Sequence, residues 1–136
     1  GGGLPIGAVL MGRKCAETLS PGDHGTTFGG NPVVCAGANV VLEKLTDDLL
    51  NEVAEKGAYI AEKVKKMPHV KSVGGKGLML SIALDGGGSK QLAAHCLNHG
   101  LLILTAKEKL RMLPPLTISY SEIDRGLKRL NEVLSL

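Results

Sequence analysis

Val70-Lys71-Ser72-Val73-Gly74-Gly75-Lys76-Gly77-Leu78-Met79-Leu80-Ser81-Ile82-Ala83-Leu84 reads as two apolar runs about a glycine-rich turn. Val70 to Val73 is a short strand, and Gly74 to Gly77 turns it into Leu78 to Leu84, part alternating and part continuously apolar. Downstream, Asp85 to Gly88 is a loop, and Gln91 to Asn98 is helical with Gly100 as its stop. Leu101 to Thr105 reads as a buried strand. Pro114-Pro115 forces extended backbone, and Leu116 to Tyr120 reads as a further short strand. Ser121 and Asp124 form a capping-box-like pair, and Ile123, Leu127, Leu130 and Leu134 share the buried face of a last helix. The sum is a small α/β domain of three or four strands covered by helices.

Upstream the character differs. Pro68 stops a helix whose stripe is Leu49, Leu50, Val53, Ile60, Ala61 and Val64. Thr46-Asp47-Asp48 marks its start. Before it, Pro32 to Leu45 is helical and apolar nearly all round, which predicts burial on several sides. Leu4 to Leu10 reads as a short apolar strand or a strand-like turn, and Arg13 to Asp23 is polar and ends in the turn signal Pro21-Gly22-Asp23. The domain boundary is expected between Lys66 and His69, dividing the chain into residues 1–67 and 68–136.

Composition removes several function classes. The 136 residues carry a net charge of +3, with Lys and Arg scattered along the chain, and only 2% are aromatic. A base-stacking surface needs more aromatic rings and a basic footprint, so nucleic acid is not an expected partner. No apolar run reaches the roughly 20 residues of a membrane span. Cys15, Cys35 and Cys96 are odd in number and far apart. They predict reduced thiols in a cytoplasm-like compartment rather than a disulfide framework or zinc ribbon.

The chemistry-bearing stretch is His24-Gly25-Thr26-Thr27-Phe28-Gly29-Gly30-Asn31-Pro32. Asn31 is a good N-cap, Pro32 suits the first helical position, and two hydroxyls stand between glycines just ahead. Two readings are open: a phosphate site at a helix start, or a tight turn whose hydroxyls are satisfied locally. Gly1-Gly2-Gly3 lacks the spacing of a nucleotide loop and reads as a turn. Arg111 stands before Met112-Leu113-Pro114-Pro115-Leu116. It is either a surface arginine at a strand edge or a guanidinium fixed to receive a carboxylate. His95 and His99 have metal-ligand spacing, but no third ligand is near, so no metal is expected. His24 reads as a loop residue.

Four strings in order, Gly1-Gly2-Gly3-Leu4-Pro5-Ile6-Gly7-Ala8, Gly22-Asp23 through Pro32, Gly75-Lys76-Gly77-Leu78-Met79-Leu80 and Leu110-Arg111-Met112-Leu113-Pro114-Pro115-Leu116-Thr117-Ile118, resemble the class III, pyridoxal-phosphate-dependent aminotransferases. The resemblance covers essentially the whole chain. Thr26-Thr27-Phe28 and Leu104-Thr105-Ala106 favour the acetylornithine branch over the ornithine and 4-aminobutyrate branches.

The resemblance implies the C-terminal part of a fold-type I transferase: the end of a large cofactor domain in residues 1–67, then the small α/β domain in 68–136. It implies pyridoxal 5'-phosphate as cofactor, N-acetylornithine and 2-oxoglutarate as substrates in arginine biosynthesis, a cytoplasmic homodimer, and neither nucleic acid nor membrane as partner. Thr27 would hold the cofactor phosphate across the dimer interface. Thr26 would touch cofactor or substrate, and Arg111 would bind the substrate α-carboxylate or pair with an active-site glutamate. The Schiff-base lysine of the family would stand just upstream of Gly1, and neither Lys14 nor Lys76 occupies its motif position. The expectation is therefore an inactive fragment of an active enzyme. Fragments of ornithine, succinyl-diaminopimelate or 4-aminobutyrate aminotransferase, or a non-catalytic binding or assembly module, are the alternatives.

Overall fold

The computed structural model describes residues 1–136. The chain divides into two compact units, Gly1–Thr46 and Asp47–Leu136. No helix is long and apolar enough to cross a membrane.

The first unit contains one regular element, α1, Pro32–Lys44. Its start follows the sequence expectation. Asn31 is the N-cap, its Oδ1 accepting from the N–H groups of Val33 at 3.0 Å and Val34 at 3.3 Å, and Pro32 opens the helix. The expected burial does not occur: no residue of α1 is buried, and Val33 is 72% exposed. Residues 1–31 form turns and irregular backbone, and Leu4 to Leu10 is not a strand; with no second regular element in this unit, α1 is only half-covered, at Val34, Cys35, Gly37, Ala38 and Val41.

The second unit begins with α2, Asp47–Val64, with Asp47 and Asp48 in its first turn, where the helix dipole favours acids. Two antiparallel strands follow, β1, Val70–Lys76, and β2, Met79–Leu84. Then come α3, Ser89–Asn98, the short hairpin β3, Leu104–Ala106, and β4, Lys109–Met112, and finally α4, Tyr120–Leu134. The sheet order is β1-β2-β4-β3, antiparallel throughout.

Register gives the sheet two distinct faces. Leu80 stands opposite Met112, and Ile82 is paired with both Leu110 and Val73. These side chains share the core face with Ile60 and Val64 of α2, Cys96 of α3 and Ile123, Leu127 and Leu130 of α4. Ile60, Ile82, Leu110 and Leu130 are essentially inaccessible, and each contributes about 1.5–3 kcal/mol of hydrophobic stabilisation. The opposite face displays Ser81 beside Arg111, and Ala83 beside Lys109.

The second compact unit begins at Asp47, because Ile60 and Val64 tie α2 into the sheet core. The close fit of α2 depends on glycine. A Cβ on Gly57 would lie 2.2 Å from the carbonyl oxygen of Gly77, so the helix backbone touches the β1–β2 turn directly. Gly77 itself takes φ +53, the left-handed region that L side chains rarely adopt.

Four element boundaries differ from the sequence expectation. β1 continues through Gly74, Gly75 and Lys76, leaving only Gly77-Leu78 as the turn. The run Leu101 to Thr105 yields a strand at Leu104–Ala106 only. Lys109–Met112 is a strand although its first and third residues are charged, since only Leu110 and Met112 face the core. Leu116 to Tyr120 is not a strand: Pro114 and Pro115 lack the N–H a ladder needs, and the Ile118 N–H donates to Pro115 O at 3.1 Å to close a turn. The cap of α4 is likewise displaced. Ser119 and Glu122 form the capping box, with the Ser119 N–H donating to Glu122 Oε2 at 2.9 Å and the Glu122 N–H donating to Ser119 Oγ at 3.3 Å.

A polar clasp joins α2 to α4 on the surface. Lys63 Nζ lies 2.7 Å and the Tyr59 hydroxyl 2.7 Å from Asp124 Oδ1, and Lys63 Nζ lies 2.6 Å from the Tyr59 oxygen. The Tyr59 ring meets Tyr120 edge to face at 5.1 Å between centroids. The hydrogen bond from Lys63, then that from Tyr59, holds the Asp124 carboxyl below the usual carboxylate range. The Ser119 hydroxyl and backbone do the same for Glu122.

Two outcomes follow from this packing. Gly57→Ala is expected to lower the free energy of unfolding by about 1–3 kcal/mol in urea titration; unchanged stability would show that the helix is free to move off the turn. Asp124 has a lower pKa folded than unfolded, so its contribution is complete above the ordinary carboxylate pKa and disappears as pH falls through the lowered value. The urea midpoint of Asp124→Asn is therefore expected below that of the parent at neutral pH, with the two converging in acid. A constant gap down to the acid limit contradicts the assignment.

Candidate functional site

Thr26 and Thr27 lie in the first unit, fully on the surface, in the turn that leads into α1. The Gly29 N–H donates to Thr26 O at 3.4 Å and the Asn31 N–H to Phe28 O at 3.3 Å, which folds the backbone of the turn. Neither threonine hydroxyl has a hydrogen-bond partner within the chain. The helix start behind them is already occupied. Asn31 Oδ1 takes the N–H groups of Val33 and Val34, Asn31 O takes that of Cys35, and Pro32 has none. An anion here would thus be held by the two hydroxyls and the turn's own N–H groups, with only the dipole of α1 behind them. Glycine neighbours, Gly25 before and Gly29-Gly30 after, leave that approach open.

Arg111 lies in the second unit, on β4, an interior strand between β2 and β3. It is not a surface arginine at a sheet edge. It is half-buried, stands opposite Ser81 on one side and Leu104 on the other, and makes no ion pair or hydrogen bond through its guanidinium. The chain's two ion pairs are elsewhere, Lys56 with Glu52 and Lys63 with Asp124. A half-buried guanidinium on a fixed strand, without an internal carboxylate, has its bidentate donor edge available for one. A mainly apolar cleft of ≈ 380 Å³ adjoins the strand, lined in part by Ile60, Met112, Leu113, Ile118, Glu122 and Ile123 and bordered by Arg111.

His99 Nδ1 is 2.8 Å from His95 O, so the second ring is engaged at the end of α3. His24 is exposed in its loop. All three cysteines are free; Cys15 is exposed and Cys96 buried, and burial pushes the Cys96 thiol up. Ser81, in register with Arg111, had no sequence signal, because strand pairing and not spacing brings it there.

The sequence profile described as aminotransferase class-III matches residues 1–134. The chain belongs to the class-III aminotransferases. Among curated relatives, the acetylornithine aminotransferase of Haemophilus ducreyi is 51% identical over 135 residues, which are 98% of this chain and 34% of that protein. Among solved structures, N-acetylornithine aminotransferase from Stenotrophomonas maltophilia superposes with a TM-score of 0.72 at 31% identity, covering 79% of this chain and 32% of its own. An ornithine aminotransferase from Toxoplasma gondii, whose structure shows partial occupancy of PLP at its active site, superposes with a TM-score of 0.72 at 28% identity, covering 85% of this chain and 29% of its own. This class-III chain thus spans about a third of the length of these relatives.

Proposed function

We propose that this chain is part of an aminotransferase that exchanges an amino group between N-acetylornithine and 2-oxoglutarate, a step of arginine biosynthesis, as a cytoplasmic homodimer using pyridoxal 5'-phosphate. The observation that carries the substrate choice is the 51% identity, over nearly the whole chain, to a protein named acetylornithine aminotransferase. The ornithine enzyme of Toxoplasma gondii matches the fold equally well but at 28% identity, which makes ornithine the second reading.

The residues present fit the cofactor's phosphate. Two surface hydroxyls without internal partners, between glycines at a helix start, suit a phosphate oxygen in number and access. Thr27 would donate its hydroxyl proton to that oxygen, in the site of the neighbouring subunit, and Thr26 would flank it. When bound, the cofactor supplies the electron sink for amino-group exchange. Arg111 binds and orients the substrate through the carboxylate, using the free edge of its guanidinium. Interior β-pairing keeps it in place while the substrates exchange. The acid–base work on the reacting carbon belongs to a lysine outside these 136 residues; Lys14 and Lys76 are not in its motif position.

Two measurements test this reading. In the full-length protein that carries this chain, Thr27→Val is expected to weaken cofactor binding roughly 10- to 100-fold, the value of one hydrogen bond to a charged group, read by cofactor absorbance. Unchanged affinity removes Thr27 from the phosphate site. The 136-residue polypeptide alone, mixed with pyridoxal phosphate, N-acetylornithine and 2-oxoglutarate, is expected to give no turnover; activity matching an intact transaminase would contradict the assignment of its catalytic base.

A further inference from the structure

We propose that Ser89 is a positioning residue for Arg111: it clamps the turn between β3 and β4, and so the strand that flanks the guanidinium. The inference rests on the role given to Arg111 above. Ser89 opens α3 and is only 1% exposed. A serine at a helix start commonly turns its hydroxyl onto the first N–H groups of its own helix. This one does not. Its Oγ donates to Lys107 O, in the β3–β4 turn, at 3.2 Å. The N-cap of α3 is Gly88, which is left-handed at φ +80 and makes no side-chain cap bond. The helix thus goes without a side-chain cap, and its first hydroxyl serves another element.

The turn that receives this bond is not held by its own residues. Ala106 pairs with Lys109, so Lys107 and Glu108 alone make the turn. Two-residue hairpins need a positive φ at the first turn position, where glycine, asparagine or aspartate is usual. Here the residue is lysine, at φ +55, a region that L side chains disfavour. The Ser89 hydroxyl supplies the missing restraint by fixing the Lys107 carbonyl. The turn in its place sets β3 against β4, with Thr105 opposite Leu110 and Leu104 opposite Arg111. β3 is a three-residue edge strand, whereas β4 is also paired with β2 and anchored in the core by Leu110. Slack in the turn is therefore taken up by β3, and Leu104, the direct neighbour of Arg111, moves with it. Ser89 acts on Arg111 through this hairpin and does not itself meet a substrate.

Steady-state kinetics of the full-length protein carrying this chain tests the proposal, with KM and kcat measured for N-acetylornithine and 2-oxoglutarate. Arg111→Ala identifies the substrate whose carboxylate Arg111 holds. Ser89→Ala is expected to raise the KM of that same substrate roughly threefold, the size of one neutral hydrogen bond, with a smaller change in kcat. Lys107→Val, which strains the turn from its own side, is expected to raise the same KM. Glycine takes a positive φ without strain, so adding Lys107→Gly to Ser89→Ala is expected to return that KM toward the parent value. If Arg111→Ala raises a KM that Ser89→Ala and Lys107→Val leave alone, or if Lys107→Gly gives no rescue, the positioning role is wrong while the role of Arg111 stands. If Arg111→Ala leaves both KM values unchanged, the carboxylate reading of Arg111 fails and the proposal falls with it.

Discussion

The contact on which the second unit depends is the packing of α2 and α4 against the middle of the sheet. Ile82 on β2 and Leu110 on β4 face each other in register, and Ile60, Val64 and Leu130 close over them. Without that layer the four short strands, one of them of only three residues, would not hold together, because hairpins of this size are marginal in water. The same layer fixes the polar face by alternation. If Leu110 and Met112 point into the core, Arg111 between them must point away from it. The guanidinium is thus placed by hydrophobic residues that never touch a substrate.

The residues proposed to meet ligands have different settings, each within its own unit. Arg111 sits on an interior strand, where both neighbours constrain it. Thr26 and Thr27 sit in an exposed turn, anchored at one end by the Asn31 cap of α1. Under the proposed function these isolated features share a purpose: the unpartnered hydroxyls and the unpaired half-buried cation are groups whose partners would come from a ligand.

Much of this was legible in the sequence. The start of α1 followed from Asn31-Pro32, the buried face of α4 from Ile123, Leu127, Leu130 and Leu134, and the β1–β2 hairpin from its glycines. What failed were features set by tertiary pairing. β4 carries Lys109 and Arg111 on its outer face, so its apolar content is too thin to mark a strand. The α4 cap moved two residues because Glu122, not Asp124, reaches back to the Ser119 backbone, while Asp124 bonds Lys63 and Tyr59 on another helix. The burial expected of α1 follows from composition alone, yet composition does not supply the surface that would cover it. The substrate and cofactor roles of Thr26, Thr27 and Arg111 came from resemblance, and the structure adds that none of the three is committed elsewhere in the chain.

The most direct test of the account is an experimental structure of the full-length protein with pyridoxal phosphate bound. It predicts the Thr27 hydroxyl at hydrogen-bond distance, about 2.7 Å, from a phosphate oxygen of the cofactor in the neighbouring subunit. It also predicts the Arg111 guanidinium turned toward a bound cofactor and the substrate carboxylate. A phosphate held entirely by residues outside the His24–Pro32 segment, with Arg111 turned away from the cofactor, would contradict it.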